Sequence, residues 1–152
     1  CYTHGCIYVA VRVVIDTCVW ASAVRSRRGA SFALLSEIPF RRFRFGTSVA
    51  LFLEYRAVLM RTLEEGSTEL NLQQIEAVLS ALAHFTEETP IYYRLRPNLK
   101  DANDNMVFEC AANFDAEAIV THNVKDFRNA ELKYPIEILM PGEFLRRIRG
   151  NV

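Results

Sequence analysis

Hydrophobic positions along this chain recur with two different periods. Short, nearly unbroken apolar runs alternate with longer stretches in which apolar residues return every three or four positions. Arg12-Val13-Val14-Ile15 is the first run, rich in β-branched residues and with little alternation. Such a run predicts a strand buried on both faces, as in a parallel sheet. Residues 118–121 and 136–139 read as strands of the same kind, and 43–45 and 91–95 as further strands.

Helical patterns lie between them. Residues 31–37 predict a short helix after a polar loop at 25–29. Ser48 can cap a helix that runs to about residue 63 and is stopped by Glu64-Glu65-Gly66. Asn71 can cap the next, in which Ile75, Val78, Leu79 and Leu82 keep the helical period. A loop over 97–103 leads into a helix over 104–114, and Pro141-Gly142 opens a terminal helix. Strands alternating with helices predict an α/β fold with a mostly parallel sheet and right-handed crossovers. One domain is expected over 11–152, with residues 1–10 a lead-in outside the core.

Composition narrows the class only a little. The 152 residues suffice for one domain with a real core. No apolar run is long enough for a membrane span, and residues 1–11 lack a charged leader and a small-residue cleavage pattern. A cytoplasmic location is therefore expected. Cys1, Cys6, Cys18 and Cys110 are scattered and make no disulfide framework. Cys1, His4 and Cys6 have no second ligand pair to complete a zinc site.

The formal net charge is zero, so global charge gives no evidence for nucleic acid. Arginine nevertheless outnumbers lysine and clusters at Arg25, Arg27 and Arg28, at Arg41, Arg42 and Arg44, and at Arg146, Arg147 and Arg149. Guanidinium groups suit bidentate phosphate contacts, and Arg25, Arg27 and Arg28 are the candidate nucleic-acid contacts. A solvated surface is the competing reading for each cluster.

The acids carry the chemistry. Asp16 ends the first strand, and the carboxyl ends of strands border the ligand crevice of open α/β sheets. Its bland alternative is a turn or helix-capping aspartate. Glu54 shares a helix face with Leu51, Tyr55 and Val58, where an acid is costly unless paired or bound to metal. Arg56 or Arg61 could instead pair with it. Asp101 and Asp104 flank a helix start, where capping explains one or two acids. Capping does not explain why Asp104 precedes the inward residues Val107, Phe108 and Ala111. Thr121, His122, Asn123 and Asp126 follow the strand at 118–120, and Asp126 could simply cap a turn. Crowded carboxylates repel, and a hard cation such as Mg²⁺ or Mn²⁺ relieves the repulsion.

In this order the acids resemble the PIN-domain family of ribonucleases, from Arg12 nearly to the end of the chain. Val13-Val14-Ile15-Asp16-Thr17 is similar to the family's opening strand and first acid. Residues 48–59 resemble the helix carrying its glutamate, and Asp101-Ala102-Asn103-Asp104-Asn105 the third acidic segment. Ile119-Val120-Thr121-His122-Asn123-Val124-Lys125-Asp126-Phe127 is the most specific match, and residues 135–145 resemble the closing strand and helix of the toxin-like branch.

The resemblance implies a three-layer α/β/α sandwich, a Mg²⁺ or Mn²⁺ site and single-stranded RNA as substrate. It also implies a VapC-type toxin with a cognate antitoxin protein, and homodimerisation, with which the apolar helix over 75–85 is compatible. Asp16 and Asp104 become the main metal ligands, Glu54 positions the metal or the water, and Asn123 or Asp126 completes the site. Thr17, Asp101 and Thr121 are supporting or substitute ligands. Two departures stand out: Cys18 where many members have asparagine, which removes a polar contact near Asp16, and Asn123 where many have aspartate.

Two other classes compete. One is a PIN-like module with weak catalysis that binds RNA or a protein, motivated by Cys18 and Asn123. The other is a phosphotransfer enzyme of the haloacid-dehalogenase or receiver type. The former type wants an acid where Cys18 stands; the latter wants paired N-terminal acids, which are absent.

Overall fold

The computed structural model describes residues 10–94, 102–128 and 135–150. The chain runs β1 (Arg12–Ile15), α1 (Thr17–Arg25), α2 (Ala30–Glu37), a 3-10 turn (Ile38–Phe40), β2 (Arg44–Thr47), α3 (Val49–Glu64) and α4 (Leu72–Phe85). It continues through β3 (Glu87–Glu88), α5 (Ala102–Phe114), β4 (Ala118–Val120), α6 (Val124–Arg128), β5 (Glu137–Leu139) and α7 (Pro141–Ile148). The five strands form one sheet in the order β3-β2-β1-β4-β5, and every pairing is parallel.

This is the α/β fold that the hydrophobic pattern predicts. Val13, Val14 and Ile15 are all fully buried, and successive strand residues face opposite sides. Both faces of β1 are therefore covered, as a sheet between two helical layers requires. Ser48 caps α3 by accepting from the Leu51 N–H at 3.1 Å. Asn71 and Gln74 cap α4 reciprocally at 2.8 and 2.9 Å. Trp20 packs edge-on against Phe45 and Tyr55, with ring centroids 6.1 and 6.3 Å apart. This cluster joins α1, β2 and α3 in the core.

Two elements differ from expectation. The strand expected at 91–95 is replaced, over its described residues 91–94, by irregular chain, and the edge strand lies earlier, at β3. The cause is a side-chain clip. Asn113 accepts from the N–H groups of Tyr92 and Tyr93, both at 2.9 Å, and donates to the Tyr93 carbonyl at 2.8 Å. Backbone groups captured by an amide cannot join a ladder, and Tyr92 and Tyr93 are 78% and 71% exposed. The second difference is α4. Ile75, Leu79 and Leu82 are buried in the chain's own core, so this apolar stripe is not a free face for a second copy.

The expected lead-in falls, except for Ala10, on residues 1–9, which lie outside the described residues, as does Asp101. Among the described residues no helix is long and apolar enough to cross a membrane.

Candidate active site

The sheet's connections turn in opposite directions on the two sides of β1. The chain passes from β1 to β2 and β3 on one side, then to β4 and β5 on the other. β1 and β4 thus flank the topological switch point, where open parallel sheets bind ligands beyond their carboxyl ends. Asp16 leaves β1 there, and Thr121 leaves β4 beside it, because Ile15 and Val120 are register partners.

Asp16 is only 4% exposed, and its N–H is bonded to the Val120 carbonyl at 2.9 Å. It occupies the N-cap position of α1, yet its carboxylate makes no capping hydrogen bond to that helix. The capping explanation therefore does not account for its side chain. Thr121 donates its hydroxyl to Oδ2 of Asp16 at 2.7 Å, and the Cys18 thiol donates to the same oxygen at 3.3 Å. The polar contact that the Cys18 departure was expected to remove is thus present, made by sulfur. Burial, with Asp16 as a second cause, pushes the Cys18 thiol up to about 12, so it stays protonated and remains a donor at neutral pH.

Asp104 comes to the same end of the sheet by another route. The end of α5 lies beside the start of β1, where Arg12 donates to the Phe114 carbonyl at 2.8 Å. The first turn of α5, with Asp104, therefore lies toward the carboxyl ends of the strands. Asp104 is 5% exposed. The phenol of Tyr55 donates to the Ile15 carbonyl, tying α3 to the residue before Asp16. Burial raises the Tyr55 phenol well above its ordinary value, which keeps that proton in place.

The other predicted acids are placed less favourably. Glu54 is half-buried on α3, because Tyr55 takes the inward position beside it. Asp126 is exposed on α6, whose buried anchor is Phe127. Among the described residues no group of three or more acids, histidines or cysteines is placed to hold a metal ion. The four-acid cage expected from the sequence is therefore not gathered as a set.

What the described residues do offer is two buried acids, Asp16 and Asp104, with the Thr121 hydroxyl on Asp16, and carboxylate oxygens are hard donors. Mg²⁺ suits such a set, because it keeps several waters and is held through one or two carboxylates. Thr17 begins α1 beside Asp16, and its Oγ1 is buried without a hydrogen-bond partner among the described residues. The residues present fit a hard divalent cation better than a closed zinc site, which needs four nitrogen or sulfur ligands.

Asn123 is exposed, and its N–H bonds to Oγ1 of Thr121 at 2.9 Å. Its role in the structure is to fix Thr121. His122 bonds through Nε2 to Oγ of the buried Ser31 at 2.9 Å, joining the start of α2 to the loop after β4. Burial lowers the His122 pKa from its ordinary value, with Asp16 opposing. Neither this contact nor the Cys18 thiol was foreseen from sequence; the signal available for Cys18 was its place two residues after Asp16.

The arginine clusters differ in their partners, and Arg41 lies over the Phe85 ring, 4.8 Å from its centroid. Arg42 and Arg149 pair with Glu37 at 3.2 and 3.0 Å, Arg44 with Glu87 at 2.5 Å, and Arg147 with Glu137 at 2.7 Å. Arg25, Arg27 and Arg28 are exposed and make no ion pair among the described residues. They precede α2, whose second residue is Ser31.

Fold and site together define a parallel α/β domain with a buried acidic centre at its switch point. A family model described as the PIN domain matches residues 12–125, well over half of the chain. The chain belongs to the PIN-domain family. A chain of the VapBC2 structure from Rickettsia felis, solved bound to a DNA fragment from its promoter, has the same fold. Its TM-score is 0.59 at 14% identity, covering 86% of this chain and 98% of that one. No curated protein matches the chain in sequence.

Proposed function

We propose that this chain is a metal-dependent endoribonuclease that hydrolyses single-stranded RNA, and that it is the toxin of a type II toxin–antitoxin pair. The observation that carries the reading is Asp16. It is a buried acid at the switch point of a PIN-family sheet, hydrogen-bonded by Thr121 and not engaged in capping. Asp16 and Asp104 would hold Mg²⁺ or Mn²⁺. When bound, that ion supplies an activated water and stabilises charge on the phosphate. Glu54, half-buried on the neighbouring helix, orients the attacking water. The exposed Arg25, Arg27 and Arg28 hold the phosphates of the strand beside the crevice. Asp126, with Asp101 and Asn123 as alternatives, completes the polar rim.

The antitoxin is supported by the VapBC2 likeness, which is a likeness of fold. A partner protein whose tail covers the crevice would switch the enzyme off by folding upon it. If two copies pair, they use a surface other than the buried stripe of α4.

Cleavage of a mixed single-stranded RNA pool with Mn²⁺ or with EDTA, beside Asp16→Asn, tests the proposal. Cleavage that needs both the metal and Asp16 supports it; equal cleavage by Asp16→Asn removes Asp16 from the chemistry. One observation favours a second reading, a PIN-like module with weak catalysis that binds RNA or a protein: among the described residues no three acids, histidines or cysteines gather to hold a metal ion. A folded parent that neither cleaves RNA nor binds Mn²⁺ in a titration would establish that reading instead.

A further inference from the structure

Cys18 takes no part in the bond-breaking just described, yet its thiol meets the acid at the centre of it. It sits in the first turn of α1, two residues after Asp16. Its thiol donates to Oδ2 of Asp16 at 3.3 Å and lies 3.7 Å from Oγ1 of Thr121. The sulfur therefore joins the start of α1 to the loop after β4, across the switch point.

The geometry limits how Asp16 can move. The Thr121 hydroxyl and the Cys18 thiol converge on one oxygen, Oδ2. Tilting the carboxylate plane away from this orientation draws its oxygen off both donors at once. A thiol donor, unlike a lysine or arginine, brings no positive charge to compete with a cation for the acid. It is also a weaker and longer donor than a hydroxyl.

We infer that Cys18 is a positioning residue, which holds the Asp16 carboxylate in the orientation that receives a divalent cation. The inference rests on the metal-dependent reading above. It is distinct from it, because it concerns how Asp16 is held.

Three variants test it. Cys18→Ala removes the donor, Cys18→Val removes the donor but fills the space, and Cys18→Ser restores a donor. Mn²⁺ binding to the RNA-free protein is the first readout. Cys18→Ala and Cys18→Val are expected to bind Mn²⁺ roughly tenfold more weakly, the usual cost of removing a group that orients a ligand. Their kcat is expected to fall while KM for RNA holds, with Cys18→Ser close to the parent in both. Parent-like Mn²⁺ binding by Cys18→Ala overturns the inference. So does a Cys18→Ser variant as weak as Cys18→Ala, because packing would then be the cause.

If the parent binds no Mn²⁺, the metal-dependent reading fails first, and metal-free crystal structures of parent and Cys18→Ala decide the positioning role. A carboxylate turned away from its parent orientation in Cys18→Ala supports it. An unchanged carboxylate overturns it.

Discussion

Thr121 and Asp16 stand 105 positions apart in the chain and 2.7 Å apart in space, hydroxyl to carboxylate. Parallel pairing of β1 with β4 creates this contact, because it brings the two strand ends level. Thr121 is fully buried and also accepts the Asn123 N–H at 2.9 Å, so one hydroxyl satisfies groups on both sides of the switch point. Replacing it with Thr121→Val leaves a buried carboxylate oxygen short of a donor and an N–H short of an acceptor. The expected cost is about 1–3 kcal/mol of folding stability, measured by urea denaturation. Thr121→Ser keeps the hydroxyl and should recover most of it. Equal stability of Thr121→Val and the parent would mean that the hydroxyl contributes nothing net.

Burial separates Asp104 from Asp126. Asp104 is 5% exposed in the first turn of α5, whereas Asp126 is exposed on α6. A ligand in a desolvated site contributes several kcal/mol to the transition state, and each 1.4 kcal/mol is about tenfold in rate. Asp104→Asn is therefore expected to lower RNA cleavage by about 100-fold or more, and Asp126→Asn by less than about tenfold. Initial rates at saturating Mn²⁺ check this. The reverse ranking would move the centre of the site toward α6.

Gly46 is required for a close approach. A Cβ there would lie 2.6 Å from Cγ of Phe114 and 2.7 Å from Oγ1 of Thr89. Gly46→Ala forces α5 or the segment after β3 to shift, at an expected cost of about 1–3 kcal/mol in a thermal or urea melt. A variant as stable as the parent would show that the Phe114 ring yields freely.

Glu87 gives a pH signature. Its hydrogen bond to Arg44 holds the carboxyl below its ordinary value of 4.5. A carboxyl with a lowered folded-state pKa adds stability that is complete above 4.5 and is lost as pH falls through the lowered value. Both side chains are more than a third exposed, so the contribution is well under about 1 kcal/mol. The parent should exceed Glu87→Gln slightly in stability at pH 7, and the gap should close in acid and in high salt. A gap that widens in acid would contradict the assignment.

The sequence by itself determined the class of fold and most of the elements. Unbroken β-branched runs such as Val13-Val14-Ile15 and the caps at Ser48 and Asn71 act within a few residues, so a linear pattern displays them. Order along the chain also pointed to Asp16 and Asp104. Tertiary structure alone decided which acids are enclosed, because helix rotation about α3 and α6 gives the inward positions to Tyr55 and Phe127 and leaves Glu54 and Asp126 at the side. It decided that residues 91–94 are not a strand, since Asn113 reaches their backbone from another element. It also turned Cys18 from an apparent loss into a donor, because the Asp16 carboxylate it meets and the Thr121 hydroxyl beside it come together only when β1 and β4 pair. Local hydrogen bonds and burial periods are written in neighbouring residues; contacts at a switch point depend on strand register, which the folded chain alone sets.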